Sequence, residues 1–376
     1  MRVFHIITHI DLGGAERIAI NIAKGGKPHG IDMHVVEVTR GTSRMTQSMI
    51  AEMREAGITV HRAPLPVLFH WHYVAEKALA WLFPLWFVWL WLRHRPDVLH
   101  SHTEIPDIAL YATLRLFPFV RPRKIVRTIH NTVLWTGMKR LGRRIEHFMQ
   151  QHNANVSISE SVSQCYESAY GMRPPIIYNG VEITAAEPAT ASPLPAGEPR
   201  KGCLSICFAA RLEEQKGVRT LCEVVKRMAG DTRYHFYIFG DGTLSHLLDD
   251  LRQQDNVTVS GPVSGIAAHL RRFDYVFMPS VHEGLATLSI EASLSRTPVL
   301  ANNAPGLTDT LPPDWPLMVT NNDTEQWLHL FNDVLPTANR DVLAEEAYRF
   351  ASSRFTLKHM QEEYCKTYLM YNSLCN

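Results

Sequence analysis

Short, nearly continuous apolar runs alternate with longer mixed stretches along most of the chain. The runs at 2–8, 33–39, 97–101, 124–130, 154–158 and 175–178 read as strands, most of them followed by helical patterns. After residue 200 the alternation restarts, with strands at 203–209, 234–239, 256–260, 274–278 and 297–300. Runs such as VFHII and DYVFM lack a polar alternation, as expected of strands covered on both faces. Repeated strand–helix units predict an α/β protein with parallel sheets and helices on either side.

The segment 182–200, EITAAEPATASPLPAGEPR, interrupts this rhythm. Four prolines among small and polar residues suit neither helix nor strand, so the segment reads as a linker. The chain accordingly divides into a Rossmann-like domain over 1–182, a linker at 183–200 and a second Rossmann-like domain over 201–355. A helix at about 356–376 is expected to pack back on the first domain. The length of 376 residues suits two cores rather than one. Two such sheets facing each other would set the carboxyl ends of their strands around a central cleft, where open α/β sheets bind ligands.

One stretch breaks the pattern differently. Ala78–Leu92, ALAWLFPLWFVWLWL, carries no charge and ends in Arg93, His94 and Arg95. Its 15 residues, with Pro84 inside, are too few to span a bilayer core of about 20 residues. Tryptophan beside arginine suits a peripheral anchor at a membrane interface, and a buried domain helix suits the composition equally.

Charge adds a second asymmetry. Residues 1–180 carry 21 Lys and Arg against 13 Asp and Glu, and the remainder carries 17 against 24, although the whole chain is at +1. Much of the excess lies at 121–124 and 139–144, with no acidic residue between 121 and 144. Such a face attracts anionic lipid, phosphate or nucleic acid, or is simply a solvated surface. No nucleic-acid module accompanies it, so nucleic acid is not expected as a partner. The six cysteines show no CxxC pairing, which predicts a reducing, cytoplasmic compartment without disulfides or a zinc site. The start, MRVFHIITHIDLGG, reads as a first strand rather than a secretory signal.

Candidate chemistry gathers where predicted strands end. In Pro279–Ser293, PSVHEGLATLSIEAS, a strand runs into a turn with Glu283 and Gly284, and Glu291 follows on the next helix. Gly284 allows close backbone approach, free amides at a helix start favour anionic or hydroxyl-rich ligands, and both carboxylates can accept sugar hydroxyls. In Ala209–Gly217, AARLEEQKG, Arg211 and Lys216 offer a fork and a point charge suited to a diphosphate, or form an ordinary solvated loop. Asp11–Arg17, DLGGAER, places Gly13 and Gly14 at a helix start, but it is neither a GxGxxG fingerprint nor a P-loop. His100 and His102, in DVLHSH, alternate along one strand and so share a face. His130, in KIVRTIHN, ends the next strand.

These motifs, in this order, resemble the retaining glycosyltransferases of family 4, of the "glycosyl transferases group 1" kind, which have the GT-B fold. GGAER, DVLHSH, RTIHN, YNGVE, RLEEQKG, FGDG and PSVHEGLATLSIEAS carry the likeness over roughly residues 1–300 and a C-terminal helix. The resemblance implies that Glu283 contacts donor-sugar hydroxyls, Glu291 the ribose, and Arg211 and Lys216 the diphosphate. It implies further that Gly284, Leu285 and Ala286 present backbone amides to sugar or phosphate. Gly14 would face the phosphate or acceptor, His102 would lie by the reacting carbon, and His130 would help bind the donor. It implies retention by same-face attack without a metal or cofactor, and the chain contains no DxD triplet. The family commonly has EGFG where this chain has Glu283-Gly284-Leu285-Ala286, so no particular sugar follows.

The expected activity is transfer from a nucleotide sugar such as a UDP-sugar to a saccharide or lipid-linked acceptor, in polysaccharide or lipopolysaccharide synthesis. The expected location is the cytoplasm or the inner membrane face, with an anionic membrane surface as a partner. A sugar-nucleotide epimerase on the same architecture, and a scaffold on a decayed enzyme fold, are the competing readings.

Overall fold

A computed structural model of the chain describes residues 1–11, 14–66, 72–182, 194, 196–263 and 265–370. The described chain forms two compact units, one of residues 1–180 together with 357 onward, the other of residues 181–356. Of the expected linker, 183–193 and 195 lie outside the described residues, and so does Gly13.

The first unit contains β1 (Arg2–Ile7), α1 (Gly14–Lys24), β2 (Asp32–Glu37), α2 (Arg44–Glu55), β3 (Thr59–His61), α3 (His72–His94), β4 (Val98–His102), α4 (Glu104–Leu116), β5 (Lys124–Ile129), α5 (Lys139–Gln151), β6 (Asn155–Ser157) and α6 (Glu160–Tyr170). Its six strands are parallel in the order β3-β2-β1-β4-β5-β6. The interior residues of β1, β2, β4 and β5 are buried, mostly apolar but with His100, Ser101, His102 and Arg127 among them. The run 175–178 is not a strand but one bridge from Ile176 to Ser157. Pro174 and Pro175 remove two amide donors there, so no ladder can extend.

Helix α3 continues through Pro84 for 23 residues. Ala80, Phe83, Phe87, Leu90 and Trp91 join the core against the sheet. Trp81, Leu82, Leu85, Trp89 and Leu92 form an exposed stripe, with Leu85 69% and Trp89 61% exposed. One face of this helix is core, as expected of a buried domain helix, and the other is exposed apolar surface. Among the described residues no helix is long and apolar enough to cross a membrane.

The second unit holds β7 (Leu204–Ala209), α7 (Val218–Arg227), β8 (Tyr234–Phe239), β9 (Val257–Ser260), β10 (Tyr275–Met278), α8 (Thr287–Leu294), β11 (Val299–Asn302), β12 (Met318–Val319), α9 (Thr324–His329) and α10 (Arg340–Arg354). The strands run β12-β11-β10-β7-β8-β9, again all parallel. Counted from its own first strand, this is the order of the first sheet. The switch point, where consecutive connections leave in opposite directions, falls between β1 and β4 in one unit and between β7 and β10 in the other.

The C-terminal helix α11 (Leu357–Leu369) belongs to the first unit. It buries Met360, Tyr364, Cys365 and Tyr368. The Tyr364 hydroxyl lies 2.8 Å from Thr128 Oγ1, and that of Tyr368 lies 2.7 Å from His100 Nδ1. The five described cysteines are free thiols.

Candidate functional site

In the second unit the loops after β7 and β10 emerge side by side at the switch point. They interlock through three contacts: the Val281 amide donates to the Gln215 carbonyl (2.8 Å), the Gln215 side chain to the His282 carbonyl (2.9 Å), and Lys216 Nζ to Glu283. Gly217 makes the crossing possible. Its φ is +69°, and a Cβ there would lie 1.8 Å from the Pro279 carbonyl oxygen. Gly306, also at positive φ, passes so close behind the Glu283 carbonyl that a Cβ would lie 2.1 Å from it.

These loops and the start of α8 enclose a cavity of roughly 320 Å³. Arg211, Lys216, Glu283, Leu285, Ala286 and Glu291 all line it. Residues up to 80 positions apart in sequence thus converge on one space. Lys216 Nζ donates to both oxygens of the Glu283 carboxylate, at 2.7 and 2.8 Å, and Glu283 is buried. Arg211 is exposed at the rim without an ion-pair partner among the described residues. The Glu291 carboxylate makes no hydrogen bond to any described residue, and burial lifts it to about 7. A ligand offering hydroxyl donors would satisfy it.

The expectation of three free amides is corrected at Ala286, whose N–H already donates to the Gly306 carbonyl at 2.9 Å. Ala286 therefore contributes wall. The start of α8 has no side-chain cap, and its residues Thr287 and Leu288 line the same cavity. Gly284 lies in the loop but does not line the cavity.

In the first unit, a second cavity of roughly 460 Å³ lies at the carboxyl end of β5, against Thr103, Glu104, Arg127, His130 and Asn131. His130 is half-buried there, while His102 is 1% exposed and lies behind it. His102 Nδ1 is 3.4 Å from His130 Nε2, and His102 Nε2 is 3.1 Å from His5 Nδ1. The ring that lines this cavity is His130, with His102 all but fully buried behind it. Burial pushes His130 down to about 4, and His102 and His100 well below the ordinary histidine range, so all three rings are neutral at pH 7. His100 is held by Tyr368 and by Thr128 Oγ1 (2.8 Å), a structural role.

Two contributors escaped the sequence reading. His5 joins the histidine row because β1 lies beside β4 and pairs it with His100. Only the strand order reveals it. Glu37, fully buried, accepts from the amides of Ile10 and Gly41 (both 2.9 Å) and pairs with Arg62, which fixes the chain leaving β1. Beneath the cavity, Arg127 bridges Asp107 and Glu146, each at 2.7 Å and all but fully buried. Gly14 begins α1, exposed, with open space where a side chain would stand.

Comparison with known proteins follows the same division. Residues 12–185 match the family described as "Glycosyltransferase Family 4", and residues 204–335 the one described as "Glycosyl transferases group 1". An uncharacterized 41.2 kDa protein in the cps region of Klebsiella pneumoniae is 23% identical over 287 residues, 73% of this chain and 79% of that protein. A glycosyltransferase structure from Rickettsia africae superposes with a TM-score of 0.77 at 16% identity, over 98% of this chain and 97% of that one. The Anabaena protein HepE, in complex with UDP, superposes with a TM-score of 0.75 at 18% identity, over 98% and 99%.

Proposed function

Because the chain belongs to the family 4, group 1 glycosyltransferases and has their GT-B fold, we propose that it moves a sugar from a nucleoside diphosphate sugar to a lipid-linked saccharide. The observation that carries the reading is the convergence of Arg211, Lys216, Glu283 and Glu291 on one cavity at a switch point. In this reading the ribose diol donates to Glu291, supplying the hydrogen bonds that carboxylate lacks. The diphosphate lies against Arg211 and Lys216. Lys216 gives two hydrogens to Glu283 and keeps one for phosphate, while the remaining lone pairs of Glu283 accept sugar hydroxyls. As the glycosidic C–O bond breaks, its electron pair leaves with the diphosphate, and the two cations stabilise that charge without a metal ion. HepE, seen with UDP, supports UDP as the first carrier to test.

Retention of configuration is part of the proposal and rests on the family likeness. On the acceptor side, His130 contacts sugar hydroxyls as a neutral ring, His102 positions it, and Gly14 leaves room for phosphate or acceptor. The exposed stripe of α3 and the exposed Lys139, Arg140, Arg143 and Arg144, which have no ion-pair partner among the described residues, support a lipid-borne acceptor at an anionic membrane face. The relative from a cps region supports cell-surface polysaccharide as the product.

Thermal stabilisation by UDP, GDP, ADP and CMP tests the donor assignment. At 100 times its dissociation constant a ligand adds about 2.7 kcal/mol. One nucleoside diphosphate, UDP first, should raise the melting temperature, and Glu291→Ala and Lys216→Ala should abolish the rise. A wild-type protein indifferent to all four, or variants that respond like wild type, would refute it.

A further inference from the structure

Three imidazoles meet on the α3 side of the first sheet, apart from both cavities. His34 stands on β2, His61 on β3, and His94 is the last residue of α3. One ring nitrogen from each lies within 4.8 Å of the others. The closest approach, His34 Nδ1 to His61 Nε2, is 2.8 Å. Ring centroids are 5.1 Å apart for His34 and His61, 4.9 Å for His61 and His94, and 5.4 Å for His34 and His94. His34 is buried under Phe4, while His61 and His94 are half-buried, which leaves a way in from solvent.

A carboxylate backs this trio. Asp32 Oδ2 lies 3.1 Å from His34 Nε2, in a bent approach, and accepts from Arg2 Nε at 2.7 Å. A carboxylate beside one ring nitrogen favours the proton there and leaves the lone pair on the other. In His34 the other nitrogen is Nδ1, the one turned toward His61. Arg2 and Asp32 together bring no net charge. Burial disfavours the charged form of all three rings.

We propose that His34, His61 and His94 form a binding site for a divalent transition-metal ion of the zinc class, separate from sugar transfer. Imidazole donors select zinc, cobalt, nickel or copper over magnesium and calcium. Metal–nitrogen bonds of about 2.0–2.1 Å in a tetrahedron put the nitrogens about 3.3 Å apart, so the 2.8 Å His34–His61 pair would open slightly and any wider separation close, adjustments made by the half-buried His61 and His94. The fourth position takes water. The ion would tie the edge strand β3 and the end of α3 to β2. Spacings of 27 and 33 residues between the three histidines hide the site from any local motif.

The test uses full-length protein without a polyhistidine tag, stripped with a chelator and titrated with Co²⁺ and Zn²⁺. One equivalent should bind, with a tetrahedral cobalt band in the visible spectrum and a melting temperature raised by Zn²⁺. The double variant His61→Gln/His94→Gln should lose the band and the shift. Asp32→Asn should weaken binding about 10- to 100-fold. His5→Gln, which alters the other histidine trio, should bind like wild type. If the double variant misfolds, His94→Gln alone, at a helix end, should still lose the cobalt band. Wild-type binding well below one equivalent, a band that survives in His94→Gln, or loss in His5→Gln would overturn the proposal.

Discussion

Ionising Glu291 inside the fold is costly, since no described residue donates to its carboxylate. Its folded pKa of about 7 lies above the ordinary 4.5, so the native state holds this proton more tightly than the unfolded chain. The stabilisation from that proton is therefore complete below about pH 4.5 and is lost as pH rises through 7. Glu291→Gln should match wild type near pH 4.5 and exceed it by about 1–3 kcal/mol near pH 8, read by urea unfolding at both. A difference that does not vary with pH would mean that Glu291 does not titrate in this range. If ribose hydroxyls satisfy the carboxylate, nucleotide affinity should also rise from about pH 6 to 8 in wild type and stay flat in the glutamine variant. Gly217 gives a second residue-scale expectation. Gly217→Ala forces a Cβ onto the Pro279 carbonyl, whereas Gly171→Ala, at a similar φ of +73°, meets open space. The first should cost about 2–5 kcal/mol and the second about 1 kcal/mol, compared by thermal melts. Side-chain chemistry at this scale was largely readable, because charged residues clustered where strands ended. Ala286 and the His102–His130 order were not, because they depend on which amide and which ring the fold turns inward.

At the scale of elements, β3 and β12 passed unread, at three and two residues on the edges of their sheets. The long strands were read within a residue or two, because burial on both faces leaves continuous apolar runs. For α3 the composition was plain and the partition of its faces was not, as only packing decides which half of an apolar helix meets the core. That partition makes a prediction. Leu85→Glu/Trp89→Glu should fold as wild type, because both side chains are exposed, and should cut sedimentation with anionic phosphatidylglycerol vesicles several-fold. Arg143→Glu/Arg144→Glu should lower it as well and make it less salt-sensitive. Equal sedimentation of all three proteins would remove this face as an anchor.

At the scale of the whole molecule, the two sheets share one strand order, and each places its cavity at strand carboxyl ends. The restart of the sequence pattern after residue 200 is that duplication of architecture seen in one dimension. Helix α11 joins the units by chain rather than by likeness. Four buried side chains, at about 1.5–3 kcal/mol each, make its contribution on the order of 6 kcal/mol or more, a large part of an ordinary domain's stability. Ending the chain at Thr356 should therefore leave residues 1–180 open to limited proteolysis while 181–355 stays resistant. Uniform resistance would show that the first unit closes without this helix.

That docking also sets an order in time. A ribosome releases the first sheet, then the entire second unit, and only afterwards the helix that covers Thr128 and His100. The earlier-made half must therefore wait, its hydrophobic face bare, until the later-made half has left the exit tunnel. Vectorial synthesis gives most multidomain chains a finished first domain, whereas here the first domain to begin is the last to be sealed. Newly made chains should accordingly lean on chaperones until Leu369 has emerged, and a stop after Thr356 should leave the first sheet unsealed.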